Sequence, residues 1–279
     1  MSNTNYNKFE VQIQNKTALI NQLFDDECNK IYDRVLRVSD AFYDDLESNI
    51  PRWTNEAECS NKISNILKVK SQVNAFTYEL VKISCDKIKD KTEEWVKNRF
   101  IPMLENEIRT LAQTMDSQTS TYMEELSHLR ISLEIDQNNI IKNTTPSRTN
   151  RALSAGASLL MGDLGGAIMG GAGGFDATLK TIGCEAGAGV ILGIISLFTP
   201  IGITALVTGA VLSVIVGSHW SLNSMESKIR KEVTRKMTES IKSKINKERF
   251  NMTIISNVDK SLNELRRNIN SQWSGLLCA

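Results

Sequence analysis

The sequence VILGIISLFTPIGITALVTGAVLSVIV, residues 190–216, runs for 27 residues without a charged side chain. Sixteen of these residues are Val, Ile, Leu or Phe. A helix on the surface of a soluble protein needs a polar face, which this run lacks. A bilayer-spanning helix needs about 20 apolar residues, so the run is long enough to enter a membrane. We therefore expect it to contact lipid, and the alternative is a core helix enclosed by the rest of the chain.

A turn is predicted near the middle of this apolar run. Pro200 lacks a backbone donor and Gly202 permits a chain reversal, so these two residues are the predicted hairpin turn. The arms, residues 190–198 and 203–216, would be about 14 and 21 Å long, which is less than the roughly 30 Å hydrocarbon core. A single kinked helix is the alternative. The residues predicted to insert are Val190, Ile191, Leu192, Ile194, Ile195, Leu197, Phe198, Ile201, Ile203, Leu206, Val207, Val211, Leu212, Val214, Ile215 and Val216.

The run belongs to a longer glycine-rich segment. Fifteen of the 16 glycines lie between Gly156 and Gly217. This composition divides the chain into N-terminal stalk helices (1–151), a glycine-rich, paddle-like, membrane-inserting segment (152–217) and a basic return helix (218–279). Residues 152–175 carry small side chains that allow close helix contacts in lipid and could form a second crossing, although Asp163 argues against deep insertion.

The flanking sequences have apolar residues at alternating spacings of three and four, which is typical of helices buried along one side. Similar stripes occupy residues 66–83, 104–133 and 222–273, the last with a change of phase near Phe250. Pro51 is predicted to close the first helix, and Pro102 to end or bend the second. The first stripe consists of Phe24, Cys28, Ile31, Val35, Val38, Phe42 and Leu46.

These patterns predict an all-α protein, an elongated antiparallel helical bundle or stalk, with the apolar helical hairpin at one end. The helix after the run must bury its stripe against the N-terminal helices, so both must stand on one side of the membrane. An odd number of crossings would separate them. This requirement favours a hairpin, or two crossings, over a single span.

Basic residues follow the apolar run. Residues 226–249 contain nine Lys or Arg and four Glu. Basic side chains beside an insertion point attract anionic headgroups, and tryptophan suits the headgroup boundary. An ordinary solvated helix face is the alternative. The predicted headgroup contacts are Trp220, Lys228, Arg230, Lys231, Arg235 and Lys236.

Enzyme chemistry is not indicated, and we expect no catalytic, cofactor or metal site. No glycine is followed by lysine, so a phosphate-binding P-loop is excluded, and Gly187 to Gly193 only resembles a dinucleotide fingerprint because no strand precedes it. The formal net charge of +1 gives no pull toward nucleic acid. Five scattered cysteines favour a reducing compartment, and the N-terminus lacks the apolar stretch of a signal peptide, so a membrane-associated protein on the cytoplasmic side is expected.

The stretch EWVKNRFIPML, residues 94–104, is followed by a heptad-like run, a glycine-rich apolar segment and a basic return helix. This order resembles the stalk and membrane-binding paddle of bacterial dynamin-like proteins. The resemblance implies that residues 190–216 act as the paddle and that the protein self-assembles as a homo-oligomer to reshape an anionic bilayer. The GTPase domain of that family is missing here, so the resemblance implies a dynamin-like GTPase partner acting in trans.

The expected function is therefore that of a non-enzymatic protein that anchors to or remodels a bilayer. Two alternatives remain open. The arrangement also resembles α-helical pore-forming toxins of the cytolysin type, which would be secreted. The third possibility is a structural coiled-coil scaffold whose apolar segment packs on a partner protein.

Overall fold

The computed structural model describes residues 3–64, 68–138, 174–197, 222–244 and 246–278. Every regular element in these ranges is helical, which confirms the all-α fold class for the described part of the chain. The predicted hairpin turn, at Pro200 and Gly202, lies outside the described residues. The elements are α1 (Asn3–Glu56), α2 (Val69–Trp95), a π turn (Val96–Phe100), α3 (Ile101–Asn138), α4 (Gly174–Leu197), α5 (Leu222–Lys244) and α6 (Lys247–Cys278).

The chain forms two compact units, each assembled from several segments of the sequence. Unit 1 comprises Met1–Asp33, Pro102–Glu185 and Val258–Ala279. Unit 2 comprises Arg34–Ile101 and Ala186–Asn257. These units cut across the three segments that composition alone suggested, and that earlier division remains a prediction.

Most of the described residues of the predicted apolar stripes are buried. In α1, Phe24, Cys28, Ile31, Val35, Phe42 and Leu46 are buried, and Val38 is half-buried. The α1 stripe also begins earlier than Phe24, because Phe9, Ile13 and Ile20 are buried as well. In α5, the buried residues recur every fourth position: Met225, Ile229, Val233, Met237 and Ile241. Burial of such stripes supplies most of the stability of helices in a folded protein.

The prediction that Pro51 closes the first helix is wrong. Pro51 lies inside α1, which continues to Glu56. The continuation buries Trp53 and Thr54, while the proline ring faces solvent. Tertiary packing therefore outweighs the local cost of a proline, whose missing donor and ring clash cost about 3 kcal/mol.

The prediction at Pro102 is confirmed in a specific form. Regular helix stops at Trp95, and a π turn occupies Val96–Phe100 before α3 begins at Ile101. The Ile101 N–H donates to the carbonyl of Val96, five residues back. Widening the helix by one residue accommodates the ring of Pro102, which cannot donate to the regular ladder.

The change of phase noted near Phe250 corresponds to a break between two helices, which lies four residues earlier. Helix α5 ends at Lys244 and α6 begins at Lys247. The Asn246 side chain accepts a hydrogen bond from the Arg249 N–H at 2.9 Å, which is the geometry of a helix N-cap. After this break the buried positions shift to Phe250, Ile254, Val258 and Leu262.

Helix α1 runs antiparallel to the helices of the C-terminal part in each unit. In unit 1, Tyr32 donates to Asp259 at 2.7 Å, and Asp25 pairs with Arg266. An aromatic cluster of Phe42, Trp95 and Phe250 lies in the core of unit 2. The contacts of α1 in unit 2 are also antiparallel, because the residue number of the contacted partner falls as the residue number along α1 rises. The pairs in unit 2 are Asp40 with Asn251, Asp44 with Lys247, Glu47 with Lys242 and Thr54 with Arg230.

Candidate membrane-contact site

The second half of α4 carries the first residues of the apolar run and belongs to unit 2. Ala186, Val190 and Ile194, each four residues apart, are buried. Residues at this spacing share one edge of a helix. The described start of the run therefore has a buried edge that packs on protein.

Glycines let α4 approach α6 closely. A β-carbon added at Gly189 would lie 2.4 Å from the Asn257 Oδ1, and one added at Gly193 would lie 2.5 Å from the Thr253 Cγ2. The contacted residue on α6 moves from 257 to 253 as the glycine on α4 moves from 189 to 193, so the two helices are antiparallel here. Glycines four residues apart form the seam at which two helices pack most closely. The glycines that resembled a dinucleotide fingerprint thus lie within a helix and serve helix packing.

The π turn has a similar relationship to α4. A β-carbon at Gly187 would lie 2.7 Å from the Ile101 Cδ1 and 3.2 Å from the Val96 Cγ1. Gly187 is buried, so its lack of a side chain makes room for the widened turn. The sequence EWVKNRFIPML therefore forms part of the surface on which α4 packs just before the apolar run begins.

The outward edge of α4 has the opposite environment. Leu192 is 70% exposed, and Ala188 and Ser196 on the same edge are also exposed. This edge carries no charge after Glu185. A large aliphatic side chain left in water beside uncharged neighbours is a feature of interaction surfaces.

The predicted inserting residues are divided between the described and undescribed parts of the chain. Of the described six, Val190 and Ile194 are buried, Ile191, Ile195 and Leu197 are half-buried, and Leu192 is exposed. No helix within the described ranges combines the length and apolarity needed to cross a bilayer. The residues outside the described ranges are Phe198, Ile201, Ile203, Leu206, Val207, Val211, Leu212, Val214, Ile215 and Val216, together with Pro200, Gly202 and Trp220.

Among the predicted headgroup residues, Arg230 faces the protein. Its Nη1 donates to the carbonyl of Thr54 at 2.8 Å, and its guanidinium lies 5.3 Å from the centre of the Phe76 ring. Thr54 belongs to the last turn of α1, where carbonyls have no partner in the helix itself. Arg230 therefore caps α1.

Arg235 and Lys236 lie in an ion-pair network. Arg235 binds both Glu232 and Glu239, and Lys236 binds Glu239 at 3.1 Å. The hydrogen bond from Lys236 lowers the pKa of the Glu239 carboxyl, and the bond to Glu232 raises the pKa of Arg235. Lys228 and Lys231 are exposed on the same helix. The sequence could not separate these positions because all of them are basic.

The connection between α1 and α2 is held by a set of contacts that no sequence pattern indicated. Glu79 accepts hydrogen bonds from the backbone N–H and the side chain of both Ser60 and Asn61, at 2.6–2.9 Å. These bonds lower the pKa of Glu79 from 4.5 to about 2. At the start of α5, Glu226 accepts from the Ile63 N–H at 3.3 Å. A glutamate among many on a helix gives no sign of such a role.

The described residues include no group of His, Cys, Asp and Glu arranged to hold a metal ion. Burial raises the pKa of the Cys28 and Cys85 thiols to about 12, so neither is a nucleophile at neutral pH. Comparisons with models of known protein families, with curated proteins and with solved structures found no match for this chain.

Proposed function

We propose that the protein binds a lipid bilayer through residues 190–216 and anchors to or remodels that membrane without an enzyme activity of its own. The observation that carries the proposal is the position of the two helices that border the apolar run. The second half of α4 and the whole of α5 both belong to unit 2. A run whose two bordering helices belong to the same unit suits a hairpin that enters the bilayer and returns.

The outward edge of α4 supports this proposal. Leu192 is exposed where the run begins, and the uncharged sequence continues beyond Leu197. The exposed Lys228 and Lys231 on α5 suit an anionic bilayer, to which each would contribute about 1 kcal/mol. The proposal places the protein on the cytoplasmic side of a membrane, as a homo-oligomer or with a dynamin-like GTPase in trans.

A scaffold is the second candidate function. Its support comes from Val190 and Ile194, which are fully buried against protein. In this case the whole run would pack on protein rather than on lipid.

Vesicle flotation distinguishes the two functions. The protein would be mixed with phosphatidylcholine vesicles, with and without phosphatidylserine, and floated through a density gradient. Replacing Leu197 and Phe198 together by Asp should abolish flotation while helical circular dichroism is retained. The matched control replaces Val11 and Leu19, two exposed apolar residues of α1, by Asp, and should float like the wild type.

A wild-type protein that stays at the bottom of the gradient would remove the membrane function and favour the scaffold. Loss of helicity in the Leu197 and Phe198 variant, but not in the control, would also favour a buried core helix. Release of a trapped dye during flotation would instead identify a pore former of the cytolysin type.

A further inference from the structure

We infer that the lipid-contacting surface extends from α4 onto α6, where Met252 contacts the same bilayer as Leu192. This inference rests on the proposed function and adds to it a surface outside the apolar run. The proposed occupant of the surface is the acyl-chain region of a bilayer.

The first support is exposure. Among the large apolar side chains that the structure describes as exposed, Leu192 at 70% and Met252 at 58% have the largest exposed fractions. Leu192 directly precedes Gly193, and Met252 directly precedes Thr253, which is the residue that Gly193 approaches closely. The two side chains that a soluble protein would be expected to cover therefore lie beside one helix crossing.

The second support is the direction in which the two side chains point. On α4, Ile194 is buried, Gly193 meets α6 and Leu192 is exposed, so these three successive positions face the core, the partner and the outside. On α6, Ile254, Thr253 and Met252 repeat this order. The two helices are antiparallel, and in each helix the residue after the contact, Ile194 or Ile254, faces one shared core. The residue before the contact in each helix, Leu192 or Met252, therefore faces the same outer side.

The third support is the low polarity of this side. Residues 186–197 of α4 and 250–257 of α6 contain no charged side chain, and the nearest charged residues on the outer side of α6, Glu248 and Arg249, lie one turn before Met252. On this side Ser196 donates to the Gly193 carbonyl at 2.7 Å. Polar groups that are already hydrogen-bonded within their own helix cost little to remove from water.

Lipid is the occupant because the uncharged run continues in the sequence that follows α4. A surface that adjoins the insertion point meets the bilayer as soon as that run inserts.

The test compares Met252→Glu with Tyr78→Glu in the flotation assay. Tyr78 on α2 is 50% exposed and lies away from the apolar run in sequence, so it controls for the added charge and the lost apolar area. Met252 would be buried among acyl chains in the bound state. Its loss from that apolar environment should lower the partition coefficient between vesicles and water by about tenfold or more. We expect that loss for Met252→Glu and wild-type partitioning for Tyr78→Glu.

The outcomes separate the two proposals. If the Leu197 and Phe198 variant loses binding while Met252→Glu partitions like Tyr78→Glu, the extension onto α6 is overturned and the proposed function stands. If the wild type does not float, both are overturned.

A probe at the same position covers the case in which charge at residue 252 disturbs folding. Met252→Cys and Tyr78→Cys would each be made in a Cys184→Ser background and labelled with a polarity-sensitive fluorophore. The Cys184→Ser protein would be labelled in parallel, so that the fluorescence from other thiols can be subtracted. Vesicles should shift the emission from residue 252 to the blue and leave that from residue 78 unchanged. Equal emission changes at the two positions would overturn the inference.

Discussion

Arg230 donates a hydrogen bond to the carbonyl of Thr54 at 2.8 Å and a longer one to that of Asn55 at 3.4 Å. These carbonyls belong to the last residues of α1, where the helix dipole places partial negative charge. The arginine lies four residues after Glu226, whose carboxylate accepts the Ile63 N–H. One edge at the start of α5 thus binds both the end of α1 and Ile63 in the connection that follows it.

Replacing Arg230 by Gln should therefore destabilise the fold rather than weaken lipid binding. Loss of a charged hydrogen bond to a helix end should lower the free energy of unfolding by about 2 kcal/mol. Urea unfolding followed by circular dichroism measures this change, with the exposed Lys231→Gln as the matched control. Equal stability of the two variants would mean that Arg230 does not cap α1 in solution.

The apolar stripes could be predicted from the sequence because burial follows helical periodicity. Phe24, Val35 and Leu46 are buried as that periodicity predicts. The end of α1 could not be predicted, since its last carbonyls are capped by a residue 176 positions later. Local rules for Pro51 contain no information about such a distant partner.

The candidate site was less predictable than the fold. The sequence identified an uncharged run but not which edge of α4 would be buried, because nearly every residue there is apolar or small. The glycine seam shows the same limit, since Gly193 resembles a loop glycine until its contact with Thr253 is known. The basic set was predicted from charge alone, which does not distinguish the inward Arg230 from the exposed Lys231.

Charge reversal at Lys228 and Lys231 should weaken binding to anionic vesicles. Each basic residue near an anionic surface contributes about 1 kcal/mol, and this contribution is screened by salt. Flotation at low and high salt should therefore show the largest loss for Lys228→Glu with Lys231→Glu at low salt. Lys236→Glu serves as the comparison, because Lys236 is half-buried whereas Lys228 and Lys231 are exposed. An equal loss on neutral phosphatidylcholine would contradict an electrostatic contribution.

Glu79→Gln should reduce stability in a pH-dependent manner. Hydrogen bonds from Ser60 and Asn61 lower the pKa of Glu79 from 4.5 to about 2. A depressed pKa in the folded state stabilises the protein above pH 4.5, and this stabilisation is lost as pH falls from 4.5 through 2. The urea midpoints of the variant and the wild type should differ at neutral pH and converge across that interval.

The control for this prediction is Glu93→Gln. Glu93 forms an exposed pair with Lys89 at 3.8 Å, and such pairs contribute little to stability. A constant difference between Glu79→Gln and the wild type at every pH would indicate a steric effect rather than the loss of a charged acceptor.

The contact between Gly193 and Thr253 can be tested by a double-mutant cycle. Alanine is favoured over glycine in a helix by about 1 kcal/mol, so Gly193→Ala would stabilise α4 if space were available. Its β-carbon would lie 2.5 Å from the Thr253 Cγ2, and overpacking of this kind typically costs about 1 to 3 kcal/mol. The threonine cannot turn away easily, because it is β-branched and its hydroxyl is bonded to the Arg249 carbonyl.

Thr253→Ser removes the obstructing methyl group and keeps the hydroxyl. Gly193→Ala should therefore be neutral or destabilising in the wild type and stabilising by about 1 kcal/mol in the Thr253→Ser background. Gly189→Ala is the control, because its β-carbon would meet Asn257 instead, and Thr253→Ser should not change its effect. Urea unfolding of the four proteins in each cycle gives the coupling free energy. A coupling near zero at Gly193 would mean that α4 does not lie against α6 at this position in solution, and it would also remove the geometry that places Leu192 and Met252 on one side.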